Sequence, residues 1–151
     1  MPPPSASLRQ VHGTVVAVNG RGVLLRGPPG AGKSDLALRL VDRGARLVAD
    51  DRVEIALRRG RLIARAPAAL AGLIEVRGIG VVPISRRASA AIVLVVDLVK
   101  PERVERMPEP DRCVLAGLSL PRLKLAPFEA TATLKLRLAL AQLARRRKRA
   151  P

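Results

Sequence analysis

The stretch GPPGAGKS, residues 27–34, is the most informative part of this sequence about its fold. It matches the pattern G-x-x-x-x-G-K-[ST] at every fixed position, with an apolar run at 22–26 before it and a segment of helical leucine spacing after it. A loop of this kind binds phosphate groups because its glycines let backbone N–H groups turn inward and the following helix begins with partial positive charge. The residues predicted to bind a nucleotide are Gly27, Pro28, Pro29, Gly30, Ala31, Gly32, Lys33 and Ser34.

The side chains that close this loop predict a nucleoside triphosphate with Mg²⁺. Lys33 can reach the β- and γ-phosphates, and the hydroxyl of Ser34 can ligate Mg²⁺. Pro28 and Pro29 have no N–H to donate and are expected to stiffen the outer arm of the loop. The motif does not name the acceptor of a phosphoryl group.

Working outward, the pattern predicts an α/β protein: a P-loop-containing mixed sheet with a β-rich N-terminal half, a helix after the loop and a C-terminal helix. Two-residue turn sequences, Asn19-Gly20 and Arg59-Gly60, predict hairpins. Gly44 is expected to end the helix that begins at Lys33. The predicted strands are 11–18, 22–26, 46–50, the two arms of 53–66, the glycine-interrupted 73–84, and 91–99; a loop is predicted at 100–112 and a helix at 128–147.

Composition bounds the remaining possibilities. The 151 residues suit one domain, predicted at 9–147 between a disordered lead at 1–8 and a basic tail at 148–151. One cysteine, Cys113, allows no internal disulfide, and no apolar run is long enough to span a membrane or to act as a secretory signal. The net charge of +16 attracts phosphates or nucleic acid, but Phe128 is the sole aromatic residue, which argues against base stacking along a nucleic acid strand.

A phosphoryl-transfer site also needs metal-binding acids and a group that orients the nucleophile. Asp97 ends the apolar run IVLVVD, and Asp50 and Asp51 end the shorter run RLVADD. Spacing slightly favours Asp97, although an acid that closes a strand is often only a turn-former. Because neighbouring strand residues point to opposite faces, we expect Asp50 and Asp51 to do different jobs.

Three further polar residues are candidates, each with a plainer alternative. His12 can bind phosphate when protonated, but a strand-edge histidine bonded to backbone is the default. Glu75 can ligate a metal or simply face solvent, and Arg77 beside it can stabilise a transferring phosphate. Cys113 is expected to serve packing alone.

Four motifs in order resemble the C-terminal catalytic domain of bacterial HPr kinase/phosphorylase. They are His12-Gly13, the loop 27–34, the VADD stretch at 48–51 and the EVRGIG stretch at 75–80, of which the last two are the most discriminating. The resemblance implies an ATP- and Mg²⁺-dependent protein kinase that acts on a serine of the phosphocarrier HPr, in the cytoplasm, commonly as a hexamer.

Residue by residue, the resemblance makes Lys33 the phosphate-binding lysine, Asp51 the general base with Asp50 beside it, and His12 part of the active site. Ser34 and Glu75 would hold the metal. It leaves Asp97 as an ordinary strand end.

The chain departs from the longer family members in two places. Only eleven residues precede His12, as in the short form found in alphaproteobacteria. The segment tied to phosphorolysis, P-V-R-P-G-R in longer members, is represented only by Pro121, Arg122 and Pro127, so we expect weak or absent phosphorylase activity. Two alternatives stay open: a P-loop kinase or ATPase with a small-molecule acceptor, and a nucleotide-gated regulatory module without catalysis.

Overall fold

A computed structural model describes the backbone of residues 8–149 and the side chains of residues 8–146. This part of the chain forms eleven strands and two α-helices. The elements are β1 (Arg9–His12), β2 (Thr14–Val18), β3 (Arg21–Arg26), α1 (Lys33–Asp42), β4 (Arg46–Ala49), β5 (Arg52–Arg58), β6 (Arg61–Arg65), β7 (Leu73–Val76), β8 (Gly80–Pro83), β9 (Ala90–Leu98), β10 (Asp111–Leu115), β11 (Leu118–Leu125) and α2 (Ala132–Arg149). The predicted α/β class with a mixed sheet is confirmed.

Strand β9 is the centre of a nine-stranded mixed sheet. Its first residues pair with β6 in antiparallel fashion, and its second half lies between β3 and β11, both parallel to it. Arg26, Asp97 and Lys124 are in register across these three parallel strands, so the loops that follow them leave from one edge of the sheet. The phosphate loop follows β3 at this edge, where ligands of open α/β sheets are usually bound.

The sheet is covered on both faces, which explains its continuous apolar runs. Along β2, Val16 and Val18 pack toward the helices, whereas Val15 and Ala17 pack into a second cluster on the other face. The helix-side cluster includes Leu36, Leu40, Leu136 and Leu140, and the opposite cluster includes Leu24, Val53, Ile55, Leu62 and Val95. The helix that carries the phosphate loop is therefore fixed to the sheet by its own buried leucines.

Both predicted hairpin turns form. Asn19 and Gly20 have φ of 51° and 79°, and Arg59 and Gly60 have φ of 52° and 75°. Two consecutive left-handed residues are the hallmark of a type I′ turn, whose twist matches that of the strands it joins. Helix α1 also ends as expected, because Gly44 has φ of 101° and its N–H donates to the carbonyl of Val41 at 3.0 Å.

The structure differs from the sequence prediction in the second half of the chain. The strands do not stop with β9, since β10 and β11 form a further hairpin whose second strand joins the sheet. Helix α2 begins at Ala132 rather than at 128, because residues 126–131 form a separate connection to β11. The segment 73–84 is a hairpin, β7 with β8, that forms a sheet of its own.

The expected disordered lead at 1–8 falls, apart from Leu8, outside the described residues. The predicted tail at 148–151 lies within the described backbone only for residues 148 and 149, which continue α2. Neither described helix is long and apolar enough to cross a bilayer.

We predict that Leu36→Ala lowers the free energy of unfolding by about 2–5 kcal/mol, because it removes a fully buried side chain that ties α1 to the sheet. Leu138→Ala is the matched control on α2, where the side chain is 57% exposed. It should change stability by no more than about 0.5 kcal/mol. Urea unfolding of both variants measures the difference, and equal losses would show that Leu36 does not anchor the helix.

Candidate functional site

The phosphate loop connects β3 to α1 in a tight bend. The N–H of Ala31 donates to the carbonyl of Pro28 at 3.0 Å, and Gly32, with φ of 102°, caps the helix. The first helical turn leaves the N–H groups of Lys33, Ser34 and Asp35 without acceptors inside the helix. Together with the helix dipole, these free donors make the start of α1 a site for an anion.

Lys33 is held across the loop that precedes it. Its Nζ donates to the carbonyl of Gly27 at 2.6 Å and to that of Pro28 at 3.1 Å. The ammonium group therefore lies beside the same loop whose backbone donors face an anion, which is where a phosphate-binding lysine is needed. This placement supports the role predicted for Lys33.

Asp50 lies at the meeting point of three segments that are distant in the sequence. Its Oδ1 accepts hydrogen bonds from Oγ1 of Thr14 at 2.9 Å and from Oγ of Ser34 at 2.8 Å. Its Oδ2 lies 3.4 Å from the backbone nitrogen of Glu75. The carboxylate is 9% exposed, so these donors compensate the burial of its charge.

Asp51, the next residue, is exposed and its backbone is strained. Its φ is 69°, and the N–H of Arg52 donates across it to the carbonyl of Asp50 at 2.8 Å, which makes a classic γ-turn. Such a conformation is rare for a residue with a side chain and is found mostly at functional sites. The two neighbouring aspartates therefore lie in different environments, Asp50 buried and Asp51 exposed, and the different jobs expected of them stay a prediction.

The pair His12-Gly13 lies directly beside this turn. His12 is opposite Arg52 in the β1–β5 register, and the N–H of Gly13 donates to the carbonyl of Asp51 at 3.2 Å. His12 is exposed at the strand end and lines a cavity of about 270 Å³ with Gln10, Val11 and Arg52. The fold thus brings two of the sequence motifs together at one place.

The β7–β8 hairpin contributes the remaining candidates. Glu75 and Arg77 are both exposed, the first in β7 and the second in the turn that follows. Because the backbone of Glu75 contacts the buried carboxylate of Asp50, the hairpin is positioned against the loop and the γ-turn. Glu75 therefore stands near the metal site predicted for it, with its carboxylate open to solvent.

Asp97 has other partners. It forms a two-point contact with Arg26, at 2.8 and 3.0 Å, and lies 2.7 Å from Nε of Arg122. The hydrogen bond from Arg26 to Asp97 raises the pKa of the arginine above its usual value, so this guanidinium stays charged. Asp97 is engaged by two cations, whereas Asp50 contacts the serine of the phosphate loop, and the geometry therefore favours Asp50 as the acid on the metal side.

The oxygen atoms around the loop suit Mg²⁺. Ser34 and Asp50 supply a hydroxyl and a carboxylate in contact with each other, and Mg²⁺ is usually held by one or two such groups while phosphate oxygens and water complete its shell. No group of three or more His, Cys, Asp or Glu that could hold a metal occurs within residues 8–146. The donor set thus fits a metal that arrives with a phosphate ligand rather than one caged by protein alone.

Sequence reasoning missed two residues that the structure places at the site. Thr14 is fully buried and donates to Asp50, and its position directly after His12-Gly13 was the available clue. Phe128 is 70% exposed and its ring lies against Gly32 in the phosphate loop, which no local pattern indicates.

Comparison with known proteins identifies relatives of this chain. Residues 5–126 match the family described as HPr Serine kinase C-terminal domain. The HPr kinase/phosphorylase of Limosilactobacillus reuteri is 48% identical over 81 residues, which is 53% of this chain and 25% of the relative. That of Latilactobacillus sakei is 43% identical over 101 residues, or 62% of this chain and 32% of the relative. The chain thus matches about a quarter to a third of the length of these relatives.

A solved structure resembles the whole described fold. The Hpr(Ser) kinase/phosphatase from Coxiella burnetii superposes with a TM-score of 0.77 at 26% sequence identity. The match covers 93% of this chain and 92% of that one. The likeness therefore extends beyond the phosphate loop to the entire sheet and its helices.

We predict that Asp51→Gly raises the free energy of unfolding by about 0.5–2 kcal/mol, because glycine adopts a φ of 69° without strain. Asp51→Asn retains a side chain and the strain, and should match the parent in urea unfolding. Arg59→Gly, at a φ of 52° in the β5–β6 turn, is a positive control away from the site. A loss of stability in Asp51→Gly would mean that contacts of the Asp51 carboxylate stabilise the fold by more than its backbone strain destabilises it.

Proposed function

The chain belongs to the HPr serine kinase C-terminal domain family, and from this membership we propose that it transfers the γ-phosphoryl group of ATP to a serine of the phosphocarrier HPr. The observation that carries the proposal is the hydrogen bond from Ser34 of the phosphate loop to Asp50, the first of the two adjacent aspartates. Two carboxylates next to a triphosphate site provide one group for the metal side and one for the incoming nucleophile.

The phosphate loop and Lys33 would bind and align ATP. The free N–H groups at the start of α1 and the ammonium of Lys33 would neutralise the phosphate charge and fix its orientation. Ser34 and Asp50, with Glu75 nearby, would hold Mg²⁺, which offsets the charge on the phosphate oxygens when it is bound. These groups would supply most of the acceleration, because a phosphoryl transfer depends chiefly on position and charge.

Asp51 is the residue suited to act as general base. Its exposed carboxylate would accept the proton of the substrate serine as the serine oxygen bonds to the γ-phosphorus and the bond to the β–γ bridging oxygen breaks. A base positioned in this way contributes about 10²–10⁴-fold to the rate. His12 lies next to the turn that carries Asp51 and would stabilise charge there when protonated, and Arg77 would do so from the β7–β8 hairpin.

The reverse reaction with inorganic phosphate is proposed to be weak or absent. The segment that replaces the phosphorolysis motif forms β11, and its Arg122 is paired with Asp97 at 2.7 Å. This ion pair would compete with inorganic phosphate for the guanidinium group of Arg122. A cytoplasmic location and a homo-oligomeric, hexameric assembly complete the proposal.

The purified chain, incubated with γ-labelled ATP, Mg²⁺ and HPr, is expected to label HPr on a single serine. Lys33→Ala should abolish labelling by removing the ammonium group from the phosphates. HPr with its serines replaced by alanine is the substrate control. If ATP binds but no label reaches HPr, the proposed substrate is wrong, and ATP turnover without HPr would instead favour a small-molecule acceptor.

The same labelling assay should distinguish the roles of Asp51 and Asp97. Asp51→Asn is expected to lower transfer by about 10²–10⁴-fold while ATP affinity stays unchanged, because the base is lost and the loop is not. Asp97→Asn should retain transfer but lower the free energy of unfolding by about 1–3 kcal/mol, because Arg26 and Arg122 lose a charged acceptor. Loss of transfer in Asp97→Asn with ATP still bound would contradict the placement of the site.

A further inference from the structure

Phe128 is the sole aromatic residue of the chain and lies on the phosphate loop. A β-carbon built on Gly32 would come within 2.8 Å of Cζ and 3.1 Å of Cε1 of this ring, so the ring packs directly on the last glycine before Lys33. The side chain nevertheless is 70% exposed. A single exposed apolar residue is ordinary on a protein surface, but one seated on a phosphate-binding loop has a specific neighbour.

The ring is presented from a rigid support. Leu125, Ala126 and Pro127 are buried at the end of β11, and the carbonyl of Leu125 accepts from the N–H of Val99 at 3.0 Å. The carbonyl of Pro127 accepts a hydrogen bond from Arg39 of helix α1. The backbone that leads into Phe128 is thus held by the sheet on one side and by the loop's own helix on the other.

The sheet topology places this ring at the same edge as the phosphate loop. Strands β3, β9 and β11 are parallel, so the phosphate loop after β3 and the segment of Phe128 after β11 leave the same edge. Arg39, which holds Pro127, also pairs with Asp35 at 2.9 Å, and Asp35 belongs to the first turn of α1, whose N–H groups face the phosphates. In a nucleotide the base is joined to the α-phosphate through a single sugar, so an aromatic ring packed against the phosphate loop is a candidate to contact the base.

We propose that Phe128 stacks on the purine base of the bound nucleotide and so gives the site its affinity for ATP over a bare polyphosphate. The inference rests on the proposed nucleotide binding and adds the residue that recognises the base. Aromatic faces bind bases by stacking, and the loop itself contacts only phosphates. The sequence contains no second phenylalanine and no tryptophan or tyrosine that could do this.

The test compares two ligands that share the phosphate chain. Calorimetric titration of the full chain with Mg²⁺–ATP and with Mg²⁺–tripolyphosphate separates base contacts from phosphate contacts. Phe128→Ala is expected to weaken ATP binding by about 5- to 100-fold and to leave tripolyphosphate binding unchanged. Val114→Ala, which removes an apolar side chain that is 71% exposed on β10, is the matched control and should alter neither affinity.

Because the chain has no tryptophan, Phe128→Trp introduces a single indole at this position. This variant should keep the parent's ATP affinity, and its fluorescence should be quenched by Mg²⁺–ATP but not by Mg²⁺–tripolyphosphate. Retained binding by Phe128→Trp shows that the site still folds, so a loss in Phe128→Ala reports on the ring.

The results that would overturn the stacking inference differ from those that would overturn the proposed kinase function. Equal weakening of both ligands in Phe128→Ala would mean that the ring only supports the loop. Unchanged ATP affinity with a raised KM for HPr would mean that the ring contacts the protein substrate instead. Failure of the parent chain to bind either ligand would end the proposed function as well, whereas failure to label HPr alone would leave the stacking inference standing.

Discussion

The buried carboxylate of Asp50 holds the functional part of this molecule together. It accepts hydrogen bonds from Thr14 at the start of β2 and from Ser34 in the first turn of α1, and it lies against the backbone of Glu75 in β7. An acid that is almost completely buried is tolerated only where such donors surround it. Satisfying this one charge therefore fixes the strand, the phosphate loop and the β7–β8 hairpin relative to one another.

The same constraint explains the strained neighbour. Asp50 is drawn inward while β5 must leave in the direction that pairs with β1, and the chain makes this change of direction in a γ-turn at Asp51. The turn leaves the carboxylate of Asp51 exposed beside His12-Gly13. This exposed carboxylate is the one proposed as general base, a role in which a group already held in place needs little reorganisation when a substrate arrives.

At the ends of the parallel strands β3, β9 and β11, the acid Asp97 is neutralised by arginines rather than left available to a ligand. Asp97, which spacing alone slightly favours, pairs with Arg26 and Arg122 from the strands on either side. In a chain with a net charge of +16, such an acid offsets crowding among cations at the strand ends. Beyond these ends the loops after β3 and β11 meet, and there the ring of Phe128 covers the glycine that precedes Lys33.

Local features could be predicted from the sequence: the phosphate loop and its helix, the two type I′ hairpins, the end of α1 at Gly44 and the apolar β9. Each depends on residues adjacent in the chain, through backbone freedom, capping or side-chain period. Strands β10 and β11 were not predicted, because their residues show no clear alternation of apolar and polar side chains. They form a hairpin, and β11 joins the sheet by pairing with β9. The contact of Ser34 with Asp50 rather than with Asp97, the hydrogen bond from Thr14 to Asp50 and the packing of Phe128 on the loop could not be predicted in this way. Each contact joins residues 16 to 96 positions apart, and the distance between such residues is set by strand order and register.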